Sequence, residues 1–390
     1  MWRIFDISGS GVCRRCAGRV YGKVGTGIDN AMRGSIIQFI FSLLWKEDLK
    51  FQDEDSCAIC HGIFGRLDIY REMIMDASRE YEFRTFLIGS RFDADIIQNE
   101  ERFHSETYSE SIKKEFNREL GKRLQSFSDR EFDKDDPDIA FQLDTRYDSL
   151  KLQVKSLFIY GTYRKFRRDI PQTRWIYGGP EKSDSLEEII GKKLSGLTGC
   201  SNYFLHGAGR EDVDVRMLGN GREFIIEAWE PKKRSIDLGE LKTMVNSSGS
   251  GIEISNLKFT SKRHVQELKA SDYYKTYEAL VQSPDAIDGH KLTGAAQKLT
   301  GKVIYQRTPL RVSGRRSDLT RHREVRETSV LGVDGFTARI QITAQAGTYI
   351  KELVSGDHGR TEPNLAHLYG SELTVRELDV IRIHRSEING

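Results

Sequence analysis

The chain has 390 residues, of which 30% are charged, and a net charge of +2 at pH 7. This length is sufficient for two or three domains with separate cores. The near-neutral charge excludes a global field that attracts polyanions, so a nucleic acid would have to meet local basic patches. The longest apolar run, residues 36–45, is too short to span a bilayer, and the N-terminus lacks a signal-peptide pattern. A soluble, cytoplasmic protein with no membrane partner is expected.

Four of the five cysteines form two close pairs, Cys13 with Cys16 and Cys57 with Cys60. Two CxxC pairs supply the four thiolates of a closed tetrahedral site, so the sequence predicts structural zinc. Two alternatives remain open. The sequence CAICH, ending at His61, matches a c-type haem attachment site, but that chemistry belongs to exported proteins and leaves the first pair unexplained. A redox dithiol or a disulfide is also possible, although a reducing cytosol argues against the disulfide.

The first two predicted regions are a zinc-binding segment, residues 1–65, and a small α/β module, residues 66–175. The zinc-binding segment contains apolar residues at helical spacing, which predict one packing face: Ile36, Ile37, Ile40, Phe41 and Leu44. In the module, periodicity predicts helices at 66–81 and 111–124 and strands at 83–92, 139–144 and 150–160. The acidic stretch 129–138 is expected to be a solvated loop.

Two basic patches suggest a nucleic-acid groove. The run at residues 163–168 interleaves two aromatic side chains with the cations Arg164, Lys165, Arg167 and Arg168, a composition suited to stacking on bases and neutralising phosphates. A second, arginine-rich stretch between residues 307 and 326 includes Arg315 and Arg316. The alternative for the first run is an ordinary solvated, charged face. Together the two patches favour RNA or DNA binding.

The third predicted region, residues 176–390, opens with a helix that Ser185 and Glu188 begin as a capping box and Gly199 ends. Cys200, just beyond it, is interpreted as a core residue. A Gly-rich loop and a strand follow, and the glycines at 219 and 221 predict a turn into a paired strand at 223–229. Because no regular strand–helix–strand rhythm appears, the fold class is mixed α/β (α+β) with mainly antiparallel strands.

Asp212 lies where the Gly-rich loop meets the strand. A carboxylate beside an arginine can be held ionised and aimed, as covalent catalysis by aspartate requires. The alternative is a surface ion-pair network. No cofactor is expected for catalysis, because the glycine pairs lack the third glycine of a dinucleotide fingerprint and the stretch 294–302 lacks phosphate-loop spacing.

Five motifs occur in one order along the chain: RRDIPQTRW at 167–175, GREDVDVRMLG at 209–219, KTYEALV at 275–281, QRTPLRV at 306–312 and GTYIKELVSGDHGRTEPNL at 347–365. Together they resemble the archaeal and eukaryotic tRNA pseudouridine synthase family that modifies the T-loop. With the cysteine pairs in front and a THUMP-type RNA-binding module between, the resemblance covers nearly the whole chain. One departure is His358, where the family commonly has an aromatic residue.

The resemblance implies a role for each matching residue. Asp212 matches the catalytic aspartate, Tyr277 the tyrosine that contacts the target base, and Tyr349 and Lys351 the tyrosine and basic residue of the third active-site motif. Leu353 matches the apolar residue beneath the site. The implied substrate is the T-arm of tRNA, modified at uridines 54 and 55.

The expected chemistry breaks the bond from ribose to the base nitrogen, rotates a flipped uracil and rejoins ribose to a ring carbon. Asp212 would act at the ribose or at the uracil ring, and Arg210 or Lys351 could hold its charge in place. Two other hypotheses are a non-catalytic, zinc-bearing RNA-binding protein and a THUMP-bearing methyltransferase or thiolase. The latter would need a methyl-donor or nucleotide loop that the sequence does not match.

Overall fold

The chain divides after Lys155 into two units that each have a separate hydrophobic core. The computed structural model describes residues 11–126, 129–174, 184–314 and 317–385. The division lies before the boundary at residue 175 that the sequence suggested. The reason is a strand at Leu157–Lys165, which pairs on both sides with strands of the second unit.

The first unit contains five α-helices and four strands among its described residues. The helices are α1 (Arg14–Arg19), α2 (Asn30–Trp45), α3 (Leu67–Ala77), α4 (Ala94–Glu101) and α5 (Ile112–Ser126). The strands are β1 (Thr85–Arg91), β2 (Glu131–Phe132), β3 (Ile139–Asp144) and β4 (Ser149–Val154).

The four strands form one mixed sheet in the order β2-β1-β3-β4, in which only β3 and β4 pair antiparallel. The predicted four-residue steps of α5 are confirmed, because Ile112, Phe116 and Leu120 are fully buried against this sheet's core. The acidic stretch contains the short strand β2 in addition to turns. The predicted strand at 150–160 is wrong in one respect: β4 ends at Val154, and the following residues begin the next strand in the second unit.

The predicted packing face of α2 is also wrong. Only Phe41 of its five residues is buried, and Leu44 is 58% exposed. The helix instead approaches α1 through small residues: a Cβ atom on Gly34 would lie 2.0 Å from the carbonyl oxygen of Arg14. Close backbone approach, which periodicity cannot show, therefore decides which side of α2 is covered. None of the helices in the described part of the chain is long and apolar enough to cross a lipid bilayer.

The second unit contains six α-helices and ten strands among its described residues. The helices are α6 (Leu186–Thr198), α7 (Leu238–Asn246), α8 (Lys262–Lys269), α9 (Gly289–Leu299), α10 (Ile350–Ser355) and α11 (Leu365–Tyr369). The strands are β5 (Leu157–Lys165), β6 (Asn202–Gly207), β7 (Val215–Trp229), β8 (Ile252–Thr260), β9 (Tyr274–Gln282), β10 (Lys302–Arg307), β11 (Thr320–Asp334), β12 (Thr337–Ala344), β13 (Thr361–Glu362) and β14 (Thr374–His384).

These ten strands form one sheet in the order β13-β10-β11-β12-β9-β14-β7-β5-β8, with β6 paired to β7. Every pair is antiparallel except β14 with β7. The mixed, mainly antiparallel fold class is thus confirmed. The capping box at Ser185 and the left-handed stop at Gly199 also appear as predicted, at the two ends of α6.

The glycines at 219 and 221 do not make the predicted turn. Both have positive φ, but they lie inside the single long strand β7. A Cβ atom on Gly219 would lie 1.8 Å from the carbonyl oxygen of Ile381, so only glycine fits this approach to β14. The Asn220 side chain donates to and accepts from the backbone of Ile383, at 2.8 and 2.9 Å. Gly219 and Asn220 therefore bring β7 into contact with β14 and do not form a turn between two strands.

Candidate active site and metal centre

The loop between β6 and β7, residues 208–214, carries Asp212 immediately before the strand. The backbone amide of Val215 donates to the carbonyl of Asp212 at 3.1 Å, which closes a turn. The Asp212 carboxylate is 43% exposed and forms an ion pair with the Arg311 guanidinium, with 2.9 Å between Oδ2 and Nη1. The carboxylate is thus fixed and open to solvent.

A second carboxylate also binds Arg311. Glu352 on α10 accepts from Nε of Arg311 at 2.6 Å, and its side chain is only 6% exposed. Although burial alone would lower the pKa of Arg311, the hydrogen bond and charge of Glu352, followed by those of Asp212, raise it. The guanidinium also lies 5.9 Å from the ring centre of Tyr349. Arg311 is therefore oriented by three groups and remains charged.

Lys351 pairs with Asp214 and not with Asp212, with 2.6 Å between Nζ and Oδ2. Burial would raise the pKa of Asp214, but the hydrogen bond and charge of Lys351 hold it below its ordinary value. Arg210 is exposed in the same loop. The expectation that Arg210 or Lys351 holds the charge of Asp212 is therefore corrected: Arg311 has this position.

Beneath the loop lies a buried polar network centred on Glu211. Both of its carboxylate oxygens accept from the Tyr163 hydroxyl at 2.8 Å, and Oε2 lies 3.0 Å from Nε of the fully buried Arg222. Arg222 also donates to the carbonyl of Ala208, and Gln172 donates to that of Gly209. The network supplies donors to two loop carbonyls that no strand pairing reaches.

Tyr277, on β9, is separated from β7 by the single strand β14. Burial raises the pKa of Tyr277 to about 12, with smaller and opposing contributions from Arg222 and Glu211. Its phenol is therefore protonated at neutral pH. Tyr277 thus belongs to the layer of the buried network around Arg222 and Glu211.

The motif at residues 347–365 is held through its backbone. The side-chain amide of Gln306 accepts from the amide of Tyr349 at 2.8 Å and donates to its carbonyl at 2.9 Å. Tyr349 precedes α10, on which Lys351 and Glu352 turn toward the loop and Leu353 is fully buried in the core. One short helix thus supplies a cation, a carboxylate and an apolar support.

The basic run at residues 163–168 does not present all four cations to solvent. Arg164 and Arg167 are exposed and pair with the surface carboxylates of Glu253 and Asp169. Lys165 is 1% exposed, and Arg168 is half-buried against backbone carbonyls. Burial removes Lys165 from a phosphate-binding surface, which corrects its assignment, whereas the assignment of Arg168 stays a prediction. Arg315 and Arg316 lie outside the described residues.

The four paired cysteines meet in the first unit. Their sulfur atoms lie within 4.8 Å of one another and all four residues are buried. The sulfurs of Cys13 and Cys60 are 3.7 Å apart, close to the separation of about 3.8 Å that follows from tetrahedral Zn–S bonds of about 2.3 Å. The donor set and spacing fit a structural zinc ion.

The alternatives for the cysteines fit less well. All five cysteines are free thiols, including Cys200, which is buried near the end of α6 as expected. Cys57 and Cys60 both contribute to the four-sulfur cluster, while His61 is exposed and hydrogen-bonded to the carbonyl of Ala58. This arrangement does not resemble a haem attachment site.

Sequence reasoning missed the roles of Arg311, Glu352 and Gln306. Each lies inside one of the recognised motifs, at 306–312 or 347–365. Membership of a motif was therefore the only sequence signal that could have pointed to these residues. Their partners lie far away in sequence and depend on how β10, α10 and the loop meet. No periodicity or local spacing carries that information.

Comparison with known proteins identifies the family of this chain. A family model described as "Pus10, C-terminal" matches residues 158–384, and another described as "Pus10 THUMP domain, archaeal" matches residues 70–144. The latter lies wholly in the first unit and confirms the THUMP-type module. A chain in a solved Cbf5-Nop10-Gar1 complex is more distant, with 18% identity, coverage of 57% of this chain and 58% of that chain, and a TM-score of 0.31.

Two full-length relatives are described as tRNA pseudouridine synthase Pus10. The relative from Thermoplasma acidophilum is 46% identical over 99% of this chain and 100% of its own length. That from Picrophilus torridus is 44% identical over 98% of this chain and 99% of its own. The chain therefore belongs to the Pus10 family of tRNA pseudouridine synthases, and the family resemblance seen in the five motifs is confirmed.

Removal of one cysteine ligand tests the metal centre. We expect about one zinc ion per chain in the purified protein and loss of zinc in Cys57→Ser, with lower stability of the first unit, because structural zinc contributes folding free energy to its own module. Metal analysis and hydrogen exchange resolved over residues 11–155 measure both effects. Cys200→Ser, in the second unit, should retain the metal. A metal-free wild-type protein with unchanged exchange would contradict the zinc assignment.

Lys275 gives the second unit a characteristic pH dependence. This lysine on β9 is 7% exposed, and burial, together with the charge of Arg222, lowers its pKa to about 7. Between pH 7 and pH 10.5, Lys275 carries a proton in the unfolded chain but not in the folded protein. The lysine's contribution to the free energy of unfolding should therefore rise by about 1.4 kcal/mol per pH unit in that window, whereas below pH 7 its destabilising effect is complete.

The substitution Lys275→Met should thus stabilise the second unit at pH 7, and its advantage over wild type should shrink as the pH approaches 10. Urea unfolding of both proteins across this range measures the difference. Lys242→Met, which alters an exposed lysine on α7, should follow the wild-type curve. Parallel curves for Lys275→Met and wild type would show that Lys275 is not buried as a neutral amine.

Proposed function

We propose that the chain isomerises uridine to pseudouridine in the T-loop of tRNA, at positions 54 and 55, with Asp212 as the catalytic group. Membership of the Pus10 family supports tRNA pseudouridylation. The five motifs support the T-loop as the target. The observation that carries the catalytic assignment is the geometry of Asp212, whose carboxylate is open to solvent yet held by an oriented guanidinium.

The reaction conserves all atoms and electrons. The bond from ribose C1′ to N1 of uracil breaks, the base rotates, a bond from C1′ to C5 forms, and the C5 proton is lost while N1 gains one. There is no net redox change, so the chemistry requires no cofactor. Asp212 supplies a carboxylate that can attack ribose C1′ or the uracil ring, and both routes place it against the target nucleotide.

Arg311 suits either route because it fixes the carboxylate without covering it. A substrate atom within contact distance of Oδ1 would meet a group whose position is already set, so little ordering remains for the transition state. Glu352 shares the guanidinium, so part of the positive charge of Arg311 is directed away from Asp212. This division leaves the carboxylate more available for attack than an isolated ion pair would.

The target uridine must leave its stack to reach this loop. We infer that Tyr277 receives the flipped base, since an aromatic ring can replace the lost stacking and its raised pKa keeps the phenol neutral. Lys351 and Tyr349 border the site from α10, and Leu353 supports that helix from below. Arg164, Arg167 and Arg210 supply exposed cations for the phosphates of the T-arm.

The substitution Asp212→Asn tests the catalytic assignment. It preserves size and removes the negative charge, so pseudouridine formation should disappear while tRNA affinity stays within about threefold, as expected when only transition-state interactions are lost. Mapping pseudouridine in an unmodified tRNA after incubation with purified enzyme measures turnover, and filter binding measures affinity.

Two aspartates serve as comparisons. Asp285→Asn alters an exposed turn residue in the same unit and should behave as wild type. Asp214→Asn removes the partner of Lys351 and should reduce the rate much less than Asp212→Asn. Robust turnover by Asp212→Asn would return this residue to an ion-pairing role, as in a non-catalytic RNA-binding protein. Wild-type activity confined to another RNA region would overturn the T-loop assignment.

The exposed cations of the basic run have their own test. Their ion pairs are on the surface and weak, so both side chains can exchange their carboxylate for a phosphate. Arg164→Gln combined with Arg167→Gln should weaken tRNA binding and reduce the slope of log Kd against log salt by about one to two. The matched control Arg263→Gln removes an 87% exposed arginine on α8 and should keep the wild-type slope. An unchanged slope in the double variant would leave Arg164 and Arg167 as ordinary solvated residues.

A further inference from the structure

Lys165 is a buried cation whose donors go to backbone carbonyls. Its Nζ donates to the carbonyl oxygens of Ile170 at 2.9 Å, Asp212 at 3.3 Å and Val213 at 3.2 Å. These three acceptors match the three N–H donors of an ammonium group. A side chain that is 1% exposed cannot also reach an RNA phosphate. The lysine is therefore committed to the catalytic loop.

Neighbouring residues complete the same contact. The backbone amide of Asp169 donates to the carbonyl of Val213 at 3.0 Å. Arg168 donates through Nη1 to the carbonyl of Asp214 and to that of Leu378, each at 2.8 Å. Three successive carbonyls of the loop, at residues 212 to 214, are thus bound by one short segment that begins at the last residue of β5 and ends at Asp169. We call this set of hydrogen bonds the carbonyl clamp.

We propose that Lys165 is a positioning residue that holds the main chain of Asp212 so that its carboxylate meets Arg311 and the target nucleotide. The proposal rests on the catalytic role of Asp212 given above. Asp212 is then bound at both ends: its carbonyl by Lys165 from β5, and its carboxylate by Arg311 from the segment after β10. Neither cation alone determines where the reactive oxygen lies.

The reason for a lysine here is the number of acceptors that must be satisfied in a buried space. A methionine of similar length would leave the carbonyl of Ile170 without this donor, that of Asp212 with only the Val215 amide and that of Val213 with only the Asp169 amide. Buried carbonyls without donors favour movement of the loop toward water. A displacement of about 1 Å at a reacting group can reduce the rate about 100-fold.

The test compares Lys165→Met with two variants of different expected behaviour. For Lys165→Met we expect the single-turnover rate at saturating tRNA to fall about 100-fold, with Kd within about threefold of wild type and an unchanged salt slope. Hydrogen exchange should accelerate at residues 209–215. Lys242→Met makes the same change at an exposed site and should match wild type. The Arg164/Arg167 double variant should show the opposite pattern, with weaker binding and a shallower slope.

A wild-type rate in Lys165→Met, or a loss accompanied by a shallower salt slope, would overturn the clamp. Lys165→Arg keeps a cationic donor and should retain more activity than Lys165→Met. Equal losses in two folded variants would also contradict the proposal. If Lys165→Met fails to fold, Lys165→Arg decides: protected amides at 209–215 with a rate within about tenfold of wild type support the clamp, and a lost rate despite protection overturns it. Absence of T-loop pseudouridine with the wild-type enzyme would instead overturn the proposed function.

Discussion

The buried ion pair between Arg222 and Glu211 is the interaction on which the loop that carries Asp212 depends. Residues 208–214 have few backbone partners of their own, yet several of their polar groups are turned inward, where water cannot satisfy them. Arg222, on β7, binds both the loop carbonyl at Ala208 and the carboxylate of Glu211, and Tyr163 completes the carboxylate's hydrogen bonds. Loss of one partner of such a pair costs about 3–5 kcal/mol, because the other charge remains buried. The loop is therefore held by the same contacts that satisfy this buried polar network.

Above this network the charges occur as pairs. Arg311 lies between the carboxylates of Asp212 and Glu352, and Lys351 lies beside Asp214. Three carboxylates and two cations leave the site with a formal charge of −1, which does not attract RNA. Under the proposed function, tRNA would then be attracted by cations outside these ion pairs, such as the exposed Arg164 and Arg167. In that case the groups that attract the substrate would not neutralise the carboxylate of Asp212.

Much of the architecture could be predicted from sequence, because helices and strands bury side chains at regular intervals. The spacing along α5 was found in this way, whereas the capping box of α6 and the four-cysteine cluster were found from residue types at fixed short spacings. The basic run shows the limit of this approach. In β5 the side chain of Arg164 is exposed and that of Lys165 is buried, because successive side chains of a strand point to opposite faces. The composition of the run does not show this difference. The partnership of Asp212 with Arg311 was inaccessible, because it depends on distant segments that only the folded sheet brings together.

The parallel pairing of β14 with β7 gives the protein an unusual order of completion during synthesis. Leu378 on β14 pairs with Val215 on β7, the strand that follows Asp212. One of the two neighbours of β7 is therefore synthesised long after β7 itself. Asp379 also accepts from Arg216, and Asn220 binds Ile383 across the same junction. A ribosome must release Thr374–His384 before this part of the sheet can close. Nascent chains would therefore contain the motif around Asp212 long before the strand that pairs with β7 beside it has been synthesised.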